Sequence, residues 1–374
     1  MIRRVAATAL IPLLLAACAA DSDGPSCPET ICGEALMCQV PDGPAERGPW
    51  PVGARTAVVQ GVTTEIWYPA AIGSEAGLDR VLYDVRDALP ESEQGKVPDE
   101  DNPWQPCDCY RDLPLDEAHG PYPVLVFHHG IAAFRTQSLN TMVHWAGRGF
   151  VVLSQDHPGV WLRDMLDLNL DPSDPAGDTR ALLAAVAAGE GEFGFLAGHV
   201  DLARIGLAGH SAGGGAVSDL GDVSGLRARI PMASHGVENP VAGEQVLVMG
   251  AFDDQVVSYE EQVAGYEAAA APKRLIGIAS AGHLVFSDLC AMTNTEGRDL
   301  VEIAIEYEVK NASLATGLWD GCEPGQIDPA AGWAIVNHAT TAVFEQALMC
   351  TDAGPRFESL QALFPLVSEY REEL

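Results

Sequence analysis

The sequence predicts an α/β fold in which helices cover both faces of a mostly parallel sheet. Two observations lead to this prediction. Short apolar runs of strand length alternate with helical stretches from about residue 122 onwards, and parallel strands need such crossover helices between them. In addition, 47% of the 374 residues are hydrophobic, which is enough apolar material to bury a large core.

The expected elements follow one another in a regular order. A strand is expected where branched and aromatic residues cluster between turn residues, and a helix where apolar residues recur with helical spacing. Strands are expected at residues 63–68, 124–127, 150–153, 204–208, 230–233, 246–249 and 275–278. Helices are expected at residues 137–148, 179–188, from 212, at 258–270 and at 331–350.

The net charge restricts the possible partners. Acidic residues number 53 and basic residues 21, so the formal charge at pH 7 is −32. Binding to nucleic acid needs a basic surface that neutralises phosphates, and electrostatic docking on anionic lipid needs the same. We therefore expect no nucleic-acid partner, and contact with a membrane only through a lipid anchor. The sequence leaves the oligomeric state open.

The N-terminus has the pattern of an export signal. A short basic segment precedes the largely apolar residues 5–15, which are too few to span a bilayer as a helix. The following Leu-Ala-Ala-Cys18 resembles a bacterial lipobox, which implies that residues 1–17 are removed and that Cys18 carries lipid. We then expect a protein of the cell envelope, on the periplasmic side of the outer membrane or at the cell surface. The alternative is an ordinary secretory signal cut near Ala20.

Nine cysteines in an exported chain indicate disulfides. Setting Cys18 aside leaves eight, and their pairing is not predictable from the sequence: Cys27, Cys32, Cys38, Cys107, Cys109, Cys290, Cys322 and Cys350. Residues 18–51 are rich in Pro and Gly and have no helical or strand period, so we interpret them as a tether. Residues 52–374 would form one domain, with insertions near 71–120 and 287–330.

One tight turn carries the pattern of a nucleophile. Gly209-His210-Ser211-Ala212-Gly213 directly follows an expected strand and precedes an expected helix. In such a nucleophile elbow the flanking residues must be small, and the turn lifts the serine above the sheet edge. Ser211 is therefore the candidate nucleophile. The N–H of Ala212, at the start of the helix, is a candidate donor to an oxyanion.

An activated serine needs an acid and a base, which should follow in this order at the ends of later strands. Asp253 and Asp254 follow the strand at 246–249, and His283 follows the last expected strand. Only one of two adjacent aspartates can face the histidine. Asp254 is preferred, because only Gln255 separates it from apolar residues that return to the core.

A second oxyanion donor is expected after the strand at 124–127. The chain continues His128-His129-Gly130-Ile131, and the glycine lets the backbone turn so that the N–H of Ile131 can face the serine. The two histidines could instead bind a metal. Because adjacent residues of an extended chain point to opposite faces, we expect no metal site here.

Together these motifs resemble a known family. The segments around Ile131, 149–159, Ser211 and 282–288 are similar to platelet-activating-factor acetylhydrolases and to related bacterial dienelactone-hydrolase-like esterases. The resemblance covers about residues 60–350 and implies an α/β-hydrolase fold. Two features depart from the family pattern. True dienelactone hydrolases use a cysteine nucleophile, whereas the candidate here is Ser211. The animal acetylhydrolases carry the catalytic acid after an earlier strand; the position of the acid in this chain is the one found in cutinases and polyester hydrolases.

The expected function is hydrolysis of carboxylic esters through an acyl-enzyme. Ser211 would attack the carbonyl, His283 would carry the proton, and Asp254 would orient the histidine. The expected substrates are short-chain or acetyl esters, including phospholipids of the platelet-activating-factor type, and no cofactor or metal is required. Two alternatives stay open: a cutinase-like polyester hydrolase, and a catalytically inactive surface binding module of the same fold.

Overall fold

The structure is a computed structural model that describes residues 40–169, 172–189, 191–237, 241–349 and 351–374. The expected signal peptide, most of the expected tether and several cysteines lie outside the described residues; these cysteines are Cys18, Cys27, Cys32, Cys38 and Cys350. Within the described residues, no helix is both long enough and apolar enough to cross a membrane.

The regular elements agree with the expected alternation of strands and helices. The strands are β1 (Val52–Val59), β2 (Val62–Pro69), β3 (Leu82–Tyr83), β4 (Gln105–Pro106), β5 (Tyr110–Arg111), β6 (Tyr122–His128), β7 (Val151–Gln155), β8 (Val200–His210), β9 (Leu226–Met232), β10 (Gln245–Ala251), β11 (Lys273–Ile278) and β12 (Val367–Glu373). The helices are α1 (Leu139–Gly147), α2 (Leu162–Asp167), α3 (Pro175–Ala188), α4 (Ala212–Ser218), α5 (Tyr259–Ala268), α6 (Leu300–Glu306), α7 (Pro329–Met349), α8 (Gly354–Glu358) and α9 (Leu360–Leu363).

Ten strands of the described residues form one sheet in the order β12-β11-β10-β9-β8-β6-β7-β2-β1-β5. From β11 to β7 all neighbours pair in parallel, while β12 and β2 add to the two sides of this block in antiparallel orientation. The predicted α/β class is confirmed, and the arrangement is that of the α/β-hydrolase fold. The carboxyl ends of the parallel strands meet at one edge, where the loops that follow them can converge.

Alternate residues of β6 belong to different hydrophobic cores. Leu125 and Phe127 pack with residues of α1 and α7 on one face of the sheet, whereas Val124 and Val126 pack with residues of α3 and α4 on the other. Trp145 of α1 is completely buried, and its Nε1 donates to Thr340 Oγ1 at 3.0 Å. Truncating a tryptophan at such a position costs about 3–5 kcal/mol of folding free energy.

Two outer strands were not expected from the sequence: β12 at one edge of the sheet, and β1 next to the other edge. The last strand has the sequence Val-Ser-Glu-Tyr-Arg-Glu-Glu, and it pairs with β11 at the edge of the sheet. Its charged residues are typical of an edge strand, since they discourage pairing with other chains. They also interrupt the apolar pattern by which a strand is recognised in a sequence. The first strand pairs antiparallel with β2 along its whole length.

Residues 40–51 pack onto the domain. Trp50 is completely buried, and its Nε1 donates to Asp116 Oδ2 at 2.6 Å. The Arg148 guanidinium, at the end of α1, donates to backbone carbonyl groups of this segment, those of Pro41, Gly43 and Glu46. Buried arginine nitrogens need acceptors, and the segment supplies them.

Two long connections lie outside the regular alternation. The first insertion joins β2 to β6 and contains β3, β4 and β5, with a disulfide between Cys107 and Cys109. The second insertion is defined here as residues 287–328, which contain α6 and precede α7. A disulfide between Cys290 and Cys322 closes most of it into a loop.

Candidate active site

Ser211 lies at the turn between β8 and α4. Its φ of 57° and ψ of −121° are rare for a residue with a side chain, which is characteristic of strained functional turns. A Cβ atom added at Gly209 would lie 2.3 Å from the carbonyl oxygen of Gly213, and one added at Gly213 would lie 2.2 Å from that of His128. Both positions require glycine, because the backbone passes too closely for any side chain.

The structure brings His283 and Asp254 together at the ends of two neighbouring strands. Asp254 follows β10, and His283 follows β11. The Nδ1 atom of His283 lies 2.9 Å from Oδ2 and 3.1 Å from Oδ1 of Asp254. Both side chains are buried, and His283 lines the same pocket as Ser211.

The carboxylate of Asp254 accepts several hydrogen bonds. Its Oδ1 accepts the N–H groups of Val256 and Val257, each at 2.9 Å, and its Oδ2 accepts from Gln262 Nε2 at 2.8 Å. Burial pushes the pKa of this carboxyl upwards, but the hydrogen bonds and the charge interaction with His283 outweigh it, so the pKa lies below its ordinary value. Asp254 is therefore ionised and fixed at neutral pH.

The adjacent aspartate has a different environment. Asp253 is exposed, and the contacts that link it to its surroundings come from its backbone: its N–H donates to the carbonyl of Ala281 at 2.9 Å, and its own carbonyl accepts from Gln255 Nε2. Of the two candidate acids, the structure brings Asp254 to the histidine.

The loop after β6 runs directly against the elbow. A Cβ added at Gly130 would lie 3.3 Å from the Cβ of Ser211, so the backbone of this loop touches the candidate nucleophile. In the described part of the chain, the N–H groups of Ala132 and Ala133 donate to the carbonyl groups of Val160 and Gly130, whereas the N–H of Ile131 donates to no backbone carbonyl. Ala212, which follows Ser211, is the first residue of α4, so its N–H is the first backbone donor of the helix.

A buried polar strut, formed by Gln137 and His210, connects the three loops of the site. Gln137 Oε1 accepts the N–H of Gly130 at 2.7 Å, and Gln137 Nε2 donates to His210 Nδ1 at 2.8 Å. The Nε2–H of His210 then donates to the carbonyl of His283 at 2.9 Å. Burial, with a smaller contribution from His283, lowers the pKa of His210 to about 3, so the ring stays neutral and keeps one donor and one acceptor.

Sequence reasoning did not identify this strut. His210 was visible only as the variable residue of the serine turn, and Gln137 only as the expected start of a helix. The polar side chain of His210 next to the nucleophile was a possible signal, but its partners Gln137 and His283 lie far away in the sequence.

The two adjacent histidines at the end of β6, His128 and His129, make structural hydrogen bonds. His129 Nδ1 donates to the carbonyl of Gly130 at 2.8 Å, and its Nε2 accepts the N–H of His157 at 3.1 Å. His128 Nε2 lies 3.1 Å from Thr179 Oγ1. Burial lowers the pKa of all three histidines. Among the described residues, no cluster of His, Cys, Asp and Glu has the arrangement of a metal site.

Ser211 and His283 open into a largely apolar pocket with about 1030 Å³ of empty space, its mouth included. Segments outside the sheet supply the walls of this pocket. They include Val85 and Leu89 of the first insertion, Leu162 of α2, and Val301, Ile303 and Trp319 of the second insertion. The two insertions therefore cover the carboxyl edge of the sheet and give the site an apolar chamber.

Comparison with known proteins agrees with this architecture. A family model described as platelet-activating factor acetylhydrolase, isoform II, matches residues 103–160. The chain is similar to this acetylhydrolase family. The predicted resemblance is confirmed for this segment, and the match supports the coarser expectation of a hydrolase of the ester-hydrolase type. The matched segment contains Gly130 and Ile131 and ends before the elbow. No curated protein matches the chain.

Proposed function

We propose that the protein is a serine-dependent carboxylic ester hydrolase that works through an acyl-enzyme. The observation that carries this proposal is the contact of His283 Nδ1 with the Asp254 carboxylate, in a pocket that Ser211 also lines. A binding protein has no need of a carboxylate that fixes a histidine beside a strained serine turn. The similarity to the acetylhydrolase family gives independent support.

Each group has a defined role in the proposed reaction. Ser211 Oγ attacks the ester carbonyl, and His283 Nε2 accepts the serine proton and passes it to the leaving alcohol. Asp254 accepts the Nδ1 proton, which keeps the imidazole in the required tautomer and stabilises the imidazolium. The N–H groups of Ile131 and Ala212 stabilise the tetrahedral oxyanion. Water then resolves the acyl-enzyme by the same route, and no metal or cofactor takes part.

The apolar walls of the pocket support an ester with an apolar acyl or alkyl group. Short-chain or acetyl esters, including phospholipids of the platelet-activating-factor type, are the proposed substrates. A chain-length series of p-nitrophenyl esters, measured beside such a phospholipid and a polyester film, tests this choice. Fastest turnover on the polyester film would contradict it and would favour a cutinase-like enzyme.

A fluorophosphonate probe tests the mechanism directly. The wild-type protein should be labelled at Ser211, and Ser211→Ala should lose both the label and, on the order of 10⁶-fold, the turnover. If the wild type is not labelled, the protein is a binding module of this fold. If the alanine variant keeps its label, another residue is the nucleophile.

The proposed location is the cell envelope, with a lipid on Cys18. The support is the sequence of the N-terminus, which has the lipobox pattern. Because buried acyl chains supply the membrane affinity, Cys18→Ser should release the protein from the detergent phase in phase partitioning. A wild-type protein found only in the aqueous phase would contradict the anchor.

A further inference from the structure

Asp320 of the second insertion contacts both loops that carry the candidate acid and base. Its Oδ2 accepts the N–H of His283 at 2.8 Å and the N–H of Gln255 at 3.0 Å. Gln255 directly follows Asp254 in the chain. One carboxylate oxygen therefore joins the backbone of the histidine to the backbone beside the acid, although Asp320 itself belongs to neither loop.

The backbone around Asp320 is seated against the same histidine loop. Its carbonyl accepts the N–H of Leu284 at 2.9 Å. A Cβ added at Gly282 would lie 2.6 Å from the Cα of Gly321, so the two segments are in backbone contact. Gly321 also has a φ of +98°, which favours glycine. This close approach lets the carboxylate reach the N–H of His283.

The disulfide of the second insertion fixes the position of Asp320 along the chain. Cys322 follows Asp320 by two residues, and its partner Cys290 lies on the continuation of the histidine loop. The disulfide therefore links the end of the second insertion, near Asp320, to its beginning, which follows the histidine loop.

We propose that Asp320 is a positioning residue of the active site, which holds the acid loop and the histidine loop in one relative orientation. This rests on the proposed function. The backbone bond from Asp253 N–H to the Ala281 carbonyl already ties the two loops at one point. A second backbone bond, from Phe252 N–H to the Ile278 carbonyl at 3.0 Å, ties the loops where they leave β10 and β11. Both bonds lie before Asp254 and His283 in the chain, and the carboxylate of Asp320 adds a tie on His283 itself and on the residue that follows Asp254. The distance between His283 Nδ1 and Asp254 then stays within hydrogen-bonding range.

Three variants test the proposal. Asp320→Ala removes the acceptor for both N–H groups, while Asp320→Asn keeps one oxygen, which is sufficient because both bonds end on the same atom. Asp328→Ala is the matched control, since Asp328 lies in the same insertion and its exposed carboxylate accepts a single backbone N–H, that of Ala330 at 3.0 Å.

Turnover of p-nitrophenyl acetate is measured per site titrated by a fluorophosphonate, so that misfolded protein does not count. We expect Asp320→Ala to lower kcat about 10- to 100-fold with little change in KM, because misplacing a catalytic group by about 1 Å can cost roughly 100-fold. Asp320→Asn should stay within about threefold of the wild type, since it retains the hydrogen bonds. The control should match the wild type.

Two results would overturn the proposal. Wild-type kcat in Asp320→Ala, with the wild type active and labelled at Ser211, would leave the proposed function intact and remove the positioning role. Equal losses in Asp320→Ala and Asp320→Asn would show that the charge acts and not the hydrogen bonds. A wild type that is neither active nor labelled would refute the proposed function and this inference together.

Discussion

Replacing Asp254 with asparagine keeps the shape of the side chain but leaves it one acceptor oxygen. In the wild-type site, Oδ1 faces the N–H groups of Val256 and Val257. The other oxygen faces Gln262 Nε2 and His283 Nδ1. The amide oxygen is expected to stay with the two backbone donors, because these cannot turn away. The NH₂ group then points at His283 Nδ1, and this nitrogen has to accept a hydrogen bond.

With Nδ1 as an acceptor, the neutral imidazole carries its proton on Nε2. This nitrogen can then no longer accept the proton of Ser211. Turnover should therefore fall by roughly 10⁴, which corresponds to about 5 kcal/mol of transition-state stabilisation. The cost to folding is smaller. Only Gln262 loses an acceptor, and an unsatisfied buried donor costs about 1–3 kcal/mol. The variant should remain folded while it is almost inactive.

The assay compares kcat on p-nitrophenyl acetate for Asp254→Asn and Asp253→Asn, with thermal unfolding as the check on folding. Asp253 is exposed, so its substitution should change turnover less than about tenfold. Severe loss in Asp253→Asn would refute the assignment of the acid. Retention of more than about 1% of turnover in Asp254→Asn would refute the tautomer argument.

Three further predictions concern the turn, the strut and the dependence of stability on pH. Gly213→Ala should abolish labelling of Ser211, because its Cβ would lie 2.2 Å from a carbonyl oxygen, whereas Gly215→Ala, with its nearest atom at 4.0 Å, should be labelled normally. Gln137→Leu should lower kcat about 10- to 100-fold by freeing the Gly130 loop, while Gln361→Leu, which loses one hydrogen bond far from the site, should not; equal kcat in the two variants would contradict the role of the strut. The free energy of unfolding should fall as the pH drops from about 6.5, since buried histidines with lowered pKa values protonate first in the unfolded chain, and each contributes up to about 1.4 kcal/mol per pH unit. These are His128, His129, His144, His157, His210 and His338. Asp178 and Asp288 contribute in the opposite direction, because burial raises their pKa values to about 6 and about 7, but these two groups are fewer than the six histidines. A midpoint of thermal unfolding that is unchanged or higher at pH 5 than at pH 7 would contradict the prediction.

Local sequence patterns were sufficient for the central elements. The strands around Val126 and Leu207 were expected because an uninterrupted run of branched residues needs burial on both faces of a sheet. The same argument failed for β12, where the inward-facing positions are separated by charged residues. It also failed for β1, which has a glycine and an arginine near its start. The edge strand β12 owes its conformation to its pairing with β11, which lies far away in the sequence and therefore outside any local window.

The candidate site divides in the same way. The sequence alone was enough to propose Ser211, His283 and the loop containing Ile131, because each follows directly on a recognisable strand and the turn chemistry is local. The apolar residues after Gln255 favoured Asp254 over Asp253, and the course of the backbone after β10 brings this carboxylate to the histidine. Gln137 and Asp320 come from distant parts of the chain, and the insertions that line the pocket have no regular period. Long-range packing creates these contacts, and no local propensity encodes it.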